Sequence, residues 1–313
     1  MKIYAFLLLP SLSIVAAGPA LGQSDESKNF VSDDRNSSLC QGLEGGSWVH
    51  VPADPDYGTS EFCVQKYMTS EVGGLPVAQV GTFPWDGIVE KNAKSACAAL
   101  GAGYHLVNND EWMTIASNIA GDGRNWSGGS VGSGELTRGH SDTNKPFGAC
   151  PANEDDRLAY LKEQNECVGI PTGTFNQRRT FYLSNNEVIW DMSGGWWQRV
   201  DHAPVDEQPS SASDVFNRFT EYSAPVRGTA SMPITDLIPT MKPWWRDTWN
   251  SSQSIGRYAK SEFKTVSPLP PLVRGGTWNH GPSAGVFSAL FKASDVLYPD
   301  NVISVSFRCA WKP

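Results

Sequence analysis

Ile303-Ser304-Val305-Ser306-Phe307-Arg308-Cys309-Ala310-Trp311 alternates strictly over nine positions. Ile303, Val305, Phe307, Cys309 and Trp311 fall on one face; Ser304, Ser306, Arg308 and Ala310 fall on the other. A period of two with one apolar face predicts a half-buried antiparallel strand. Such a strand needs neighbours, and two stretches near the start of the chain supply them. Ser47 to Val51 and Glu61 to Met68 also alternate, and the Pro-, Asp- and Gly-rich segment from Pro52 to Gly58 between them has turn chemistry, so the three together predict a hairpin.

Two helices are expected after the hairpin. The first covers roughly 90–100, with Ala93, Ala96, Cys97 and Leu100 on one face and Gly101 as its stop. The second starts at Asn108 or Asn109. Asn108 with Glu111 fits a capping box, Trp112, Ile115, Ala116 and Ile119 recur at helical spacing, and Gly121 ends it. Trp112 is assigned to the core. Residues 121–182 and 201–270 are rich in Gly, Ser, Asn, Asp and Pro and read as long loops over a scaffold; loops this long are usually functional or disordered. Between them, Leu183, Val188, Ile189, Trp190, Trp196 and Trp197 return the chain to the core. The expected class is α+β, with short antiparallel sheets, two helices and long irregular loops.

The start of the 313-residue chain looks like a transport signal. Lys2 is the basic n-region, Ile3 to Ala20 is largely apolar, and Ala20-Leu21-Gly22 is a small-x-small cleavage site. A membrane anchor is the competing reading, but the segment is short for a span and ends in small residues. Residues 1–22 are therefore taken as a signal peptide, 23–44 as a polar, acidic and flexible leader, and 45–313 as one domain. Export would place the chain in the periplasm, on the outer surface or in the medium. The whole chain carries a formal charge of −8, and loss of Lys2 makes it one unit more negative. That balance argues against nucleic acid, which wants a basic stripe, and no later segment is apolar enough to span a membrane. The six cysteines, Cys40, Cys63, Cys97, Cys150, Cys167 and Cys309, are an even set in an exported chain and read as disulfides. None are spaced C-x-x-C, which disfavours zinc, and spacing alone leaves fifteen pairings open.

Catalytic signatures are weak. Gly128-Gly129-Ser130-Val131-Gly132 matches the G-x-S-x-G elbow, but it sits in a run of Gly and Ser without the strand before and helix after that an elbow needs. The five histidines, His50, His105, His140, His202 and His280, show no i+2, i+3 or i+4 pairing, so a helical metal site is absent and each reads as a surface or hydrogen-bonded residue. Glu154-Asp155-Asp156 lacks the ligand spacing of an EF-hand and reads as a solvated charge run.

Several segments taken in order resemble one family. They are Phe62 to Tyr67; Ala93 to Cys97 with Leu100-Gly101; Tyr104 to Trp112; Ile189-Trp190-Asp191-Met192-Ser193-Gly194-Gly195-Trp196-Trp197; Arg274-Gly275-Gly276-Thr277-Trp278; and Ser306 to Cys309. The set resembles the formylglycine-generating-enzyme or sulfatase-modifying-factor family, built on the C-type-lectin-like fold, over about residues 45–311. Asn125 to Gly129, Arg138 to Asp142 and Leu183 to Asp191 look closest to its exported bacterial members and to the retroelement-diversified variable proteins. The resemblance implies that fold, a Cys97–Cys309 link between the first helix and the last strand, and links Cys40–Cys63 and Cys150–Cys167. Closing the long loop would stabilise by about 4–5 kcal/mol on the chain-entropy estimate.

The departures from the family bear on activity. Its oxidases hold copper with a cysteine pair between the Arg-Gly-Gly block and the last strand, and residues 277–305 contain no Cys. A soft thiolate pair is what Cu(I) requires, so that activity is expected to be absent. The helical domain and histidine motif of the iron-dependent relatives are missing too. Gly195 and Gln198 stand where the family holds calcium through Asn and Glu, which weakens that site; no cofactor is expected, with calcium the one candidate. What remains is a non-enzymatic recognition domain for a protein or glycan. The alternatives are a structural component of a cell-surface assembly and an oxidoreductase with an altered metal site. Asn279, His280, Ser288, Lys292, Asp295 and Tyr298 are the outward-facing candidates in 277–300, against an ordinary solvated loop. Trp244 and Trp245, beside Arg246, are a second candidate platform, with burial as loop anchors the competing reading. Trp278 is assigned to the core.

Overall fold

The computed structural model describes residues 38–143, 147–149, 161–163, 166–168, 174–202, 219, 249–260, 272–291 and 305–313. The signal and most of the leader lie outside them, as do Cys150, Glu154-Asp155-Asp156, Trp244, Trp245, Lys292, Asp295 and Tyr298. The part of the expected leader that is described, from Ser38 onward, already belongs to the folded body. A short 3-10 turn, Ser38–Cys40, buries Cys40, and the Glu44 amide donates to the Tyr104 hydroxyl at 2.7 Å.

The first half contains strands β1 (Trp48–Val51), β2 (Phe62–Gln65), β3 (Ser70–Val72) and β4 (Leu75–Val77), helix α1 (Glu90–Ala98), β5 (Tyr104–Leu106) and helix α2 (Asn109–Ala120). Three strands, β6 (Phe147–Ala149), β7 (Leu161–Glu163) and β8 (Glu166–Val168), form a sheet of their own. Then come β9 (Thr180–Tyr182), β10 (Val188–Trp190), β11 (Trp197–Val200) and β12 (Tyr258–Lys260). The chain closes with β13 (Leu272–Gly275), β14 (Gly285–Phe291), β15 (Val305–Phe307) and β16 (Cys309–Trp311). The class is α+β, with two α-helices among the described residues.

The expected hairpin is present as β1 and β2, antiparallel with Val49 opposite Val64. The expected single C-terminal strand is not. Its residues divide into β15, which runs parallel to β11 in a five-stranded sheet ordered β12-β14-β13-β11-β15, and β16, which lies antiparallel between β2 and β5 in a four-stranded sheet. The five-stranded sheet is mixed rather than antiparallel, since β12 also runs parallel to β14. Nor is the stretch half-buried: Val305, Ser306, Phe307, Arg308, Cys309 and Ala310 are all inside. Both sides of the stretch are covered: Phe307 and Cys309 pack in one apolar cluster, Ala310 in another, and Arg308 meets buried acceptors.

Arg308 is the residue at the switch. Its Nε donates to Gln198 Oε1 at 2.6 Å, one terminal nitrogen donates to the Gln65 carbonyl at 2.8 Å, and the other to the Trp190 carbonyl. One guanidinium thus ties β16's entry to β2, β10 and β11. Gln65 completes the joint: its Oε1 accepts from the Cys309 amide at 3.0 Å and from the Thr69 hydroxyl. The Cys97–Cys309 disulfide joins α1 to β16, and Cys40–Cys63 joins the first turn to β2.

Helix α2 begins as its sequence indicates. Asn108 Oδ1 accepts from the Glu111 amide and Glu111 Oε2 accepts from the Asn108 amide, both at 2.9 Å. The helix is not one-faced, however. Apart from Asp110 and Asn118 its residues are buried, with Trp112 donating its indole N–H to the Val286 carbonyl at 2.8 Å. Glu111 is fully enclosed, and its second oxygen accepts from His105 Nε2 and Lys312 Nζ, each at 2.8 Å. Burial opposes charge on both partners of the His105–Glu111 pair. The mutual attraction and hydrogen bonds prevail, so His105 is raised above 6.5 and Glu111 lowered below 4.5.

Two predictions follow from these joints. Arg308→Met leaves three buried acceptors without their donor and should lower unfolding free energy by roughly 3–5 kcal/mol in urea titration; an unchanged midpoint would contradict the role given to Arg308. For the clamp, the His105 contribution is complete below 6.5 and is lost as pH rises through its raised folded value. The Glu111 contribution is complete above 4.5 and is lost as pH falls through its lowered one. The stability difference between wild type and Glu111→Gln should therefore be largest between about pH 4.5 and 6.5 and shrink on either side.

Candidate functional site

The segment Thr277–Ala284 connects β13 to β14 and is shaped by its two leading glycines. A side chain at Gly275 (φ 93°) would come within 2.8 Å of the Met192 carbonyl, and one at Gly276 (φ 83°) within 2.7 Å of Ala284 Cβ. The loop therefore closes on itself and presses its stem against the 191–195 segment. Backbone bonds then pin it on two sides. The Trp278 amide donates to Gly195 O at 3.0 Å, the Gly281 amide to Ser141 O at 2.8 Å, and Trp278 O accepts from the Thr143 amide at 2.9 Å.

Within this frame the loop orders its own tip. The Thr277 amide donates to His280 Nδ1 at 2.9 Å, and the Thr277 hydroxyl donates to Asn279 Oδ1 at 2.8 Å. Accepting at Nδ1 places the ring proton of neutral His280 on Nε2. Burial pushes the His280 pKa down to about 4, so the ring is neutral at physiological pH. It packs on Trp197, with ring centres 5.1 Å apart, and on Phe219 at 5.0 Å. Asn279 is exposed at the tip, whereas Trp278 is buried as its core assignment requires.

Beneath the loop lies a polar cluster. Buried Arg138 donates to Ser141 Oγ (3.0 Å), Ser254 Oγ (2.8 Å) and Asp142, and makes a longer contact to Glu135 at 3.4 Å. Gln177 Nε2 adds a bond to Asp142 at 3.0 Å. These carboxylates are engaged by internal donors, and the cluster's evident work is to fix the 138–143 segment against which the loop rests. Among the described residues no group of three or more His, Cys, Asp or Glu is placed to hold a metal ion.

Of the candidates read from sequence, the structure brings Asn279 and His280 together. Ser288 is a correction. It is completely buried on β14, and its hydroxyl donates to the Arg257 carbonyl at 3.1 Å. The segment leading into β12 crosses over it so closely that a side chain on Gly256 would stand 2.7 Å from the Ser288 amide. Alternation had placed it outward, but the face it occupies is covered. The other five positions, Trp244, Trp245, Lys292, Asp295 and Tyr298, lie outside the described residues. The Gly128–Gly132 stretch lies within a turn closed by the Trp126–Leu136 bridge and by Gly128 N to Ser133 O at 3.0 Å, which is not the strand-to-helix setting of a nucleophile elbow. Gln198 is fully buried, taken by Arg308 at Oε1 and by the Asp191 carbonyl at Nε2, 2.7 Å. His50 and His105 bond to Glu61 and Glu111.

Trp197, Phe219 and Thr277 were not singled out from sequence. Trp197 read as core, which it is, and nothing local marks Phe219. Thr277 carried a signal: a Thr followed at two and three positions by Asn and His, directly after Gly-Gly, is turn chemistry that orders the side chains beyond it.

His280 in the folded chain should titrate with a midpoint about 4 in the NMR signal of its ring C–H. Between that value and 6.5 the unfolded state binds the extra proton, so this residue makes stability rise with pH across the interval. A midpoint near 6.5 would show a solvated ring and remove the packed geometry described above.

Compared with protein-family models and with curated proteins, the chain matches none.

Proposed function

We propose that this chain is an exported, non-catalytic recognition domain that binds a protein or glycan ligand, on a C-type-lectin-like scaffold of the sulfatase-modifying-factor kind. The observation that carries the reading is the Thr277–Ala284 loop. It is anchored by backbone bonds on two sides and presents the exposed Asn279 and neutral His280 in fixed orientations. Recognition gains from such pre-organisation because little side-chain entropy remains to be lost on binding. The scaffold assignment is supported by the ordered sequence blocks and by the Cys97–Cys309 link between first helix and last strand. The two disulfides favour an oxidising compartment. The lack of cysteine in 277–305 argues against the family's copper oxidase chemistry.

A second reading, a component of a surface assembly, is favoured by one observation. Val72 and Leu75, paired across the β3–β4 hairpin, are 44% and 47% exposed, and nearby Val80 and Phe83 are 49% and 38% exposed. Apolar side chains concentrated in one short segment mark a contact surface more often than scattered ones do.

The test is a glycan and peptide array probed with the oxidised mature chain, beside Asn279→Ala and His280→Ala. Recognition at this loop predicts a ligand whose affinity falls about tenfold or more in each variant. Ligands bound equally by all three proteins would place recognition elsewhere. Stoichiometric copper or iron with oxidase activity in the purified chain would replace the reading with an enzyme. A stable oligomer broken by Val72→Lys would favour the assembly reading.

A further inference from the structure

The β3–β4 hairpin has two unlike faces. Glu71 and Pro76 are cross-strand partners on one of them. Pro76 is buried, and its carbonyl accepts from the Gln65 side chain at 3.4 Å, so this face rests on the body of the domain. Ser70 with Val77, and Val72 with Leu75, are the partners on the other face. The Ser70 and Thr82 hydroxyls meet at 2.6 Å, which brings the 80–83 stretch alongside that second face. Val72, Leu75, Val80 and Phe83 thus gather on one side of the hairpin, and they are four of the six exposed large apolar side chains among the described residues. Phe83 is held edge-on against the buried Trp196, with ring centres 4.9 Å apart, so the surface stands on a fixed base. The turns that shape it stand clear of other chain: a Cβ on Gly73, Gly74 or Gly81 would meet no atom within 4 Å.

We propose that this surface is the contact between two copies of the chain related by a two-fold axis. The inference rests on the reading of the hairpin as an assembly surface, and it names what covers that surface. Charge decides the occupant. From Val72 to Trp85 no side chain is charged, in a chain of which 19% is Asp, Glu, Lys and Arg. The hairpin's one charge, Glu71, belongs to the opposite face. Exposed strands of monomeric proteins are commonly blunted by charged side chains, lysine above all, and this hairpin has no such guard on its outward face. Two copies that each carry a formal −8 repel one another, so they approach best where neither presents charge. In a two-fold contact the groups near the axis face their own kind, and any charge there opposes itself. An apolar patch free of both signs meets that condition with no complementary partner. A foreign protein binding this acidic chain would instead be steered and selected by basic groups, and the face has no acid to offer them.

The test is analytical ultracentrifugation of the oxidised mature chain over a concentration series, beside Val72→Lys and Leu75→Lys. Wild type should pass from monomer to dimer as concentration rises. Each substitution should raise the dissociation constant about a hundredfold, since every dimer carries the change twice. Both positions are exposed, so the variants should keep the wild-type thermal midpoint. Charge reversal makes the test specific to a two-fold contact. Leu75→Lys and Leu75→Glu should each be monomeric alone, and an equimolar mixture should regain a dimer. Loss of the dimer without recovery on mixing overturns the two-fold pairing. A dimer that survives both lysine substitutions overturns the inference and leaves the assembly reading standing on another surface. A chain monomeric at every concentration overturns both. A monomer that floats with phosphatidylcholine vesicles, and ceases to do so as Leu75→Lys, would assign the face to lipid and overturn the inference as well.

Discussion

The guanidinium of Arg308 is the constraint on which the rest of the structure hangs. A strand that leaves one sheet and enters another exposes backbone groups at the crossing, and inside a protein those groups have no water to turn to. Arg308 sits at that crossing and supplies several directed donors from one planar group, to Gln65, Trp190 and Gln198. Lysine could not do the same, because its ammonium lacks the fixed fork that reaches three separated acceptors. The same residue's backbone carbonyl accepts from the Val107 amide at 3.1 Å, leading directly into the capped start of α2. One residue, through its side chain and its backbone carbonyl, therefore fixes the relative placement of both main sheets and the central helix. The disulfide at the next residue holds the position covalently.

From that joint the order passes to three loops through contacts between backbones. Gly139 lies against Ser193, Gly194 against Arg138 and His140, and Gly275 against Met192, each so close that a Cβ would collide. Asp191 begins the middle loop in a left-handed conformation (φ 55°), unusual for a residue with a side chain. The buried Arg179 makes a two-point ion pair to that side chain at 2.6 and 3.1 Å, which holds it there. Strain of this sort persists only where the surroundings over-determine it. The Thr277–Ala284 loop rests on this stack, so its tip inherits the rigidity of a core rather than the freedom of a surface connection.

Much of this was legible in the sequence because local chemistry dictated it. The Asn108–Glu111 capping box, the β1–β2 hairpin and the burial of Trp112 each follow from a few neighbouring residues. What failed depended on distant chain. The division of the last strand at Arg308 is decided by Gln198 and Trp190, more than a hundred positions away. The inward placement of Ser288 is decided by the segment around Gly256, and the burial of α2 on all sides by sheets on either flank. Periodicity reports which residues share a face; it carries no information about what covers that face. The packing of Trp197 on His280 was hidden for the same reason. Trp197 and His280 are eighty-odd positions apart, and the defining property of Trp197, an indole N–H without a partner, exists only once the neighbours are in place.

The distribution of charge separates the frame from the tip. Arg138, Arg179, Arg308 and Glu111 are buried, and each is bound by several internal partners, so their fields are spent within the protein. The tip is the reverse case. Asn279 and His280 carry no net charge and are held in place by Thr277. Neutral donors bind through geometry and desolvation, and such binding is less sensitive to salt than binding through surface charge. The cost is a demand for exact placement, which the Arg308 joint and the stacked loops meet.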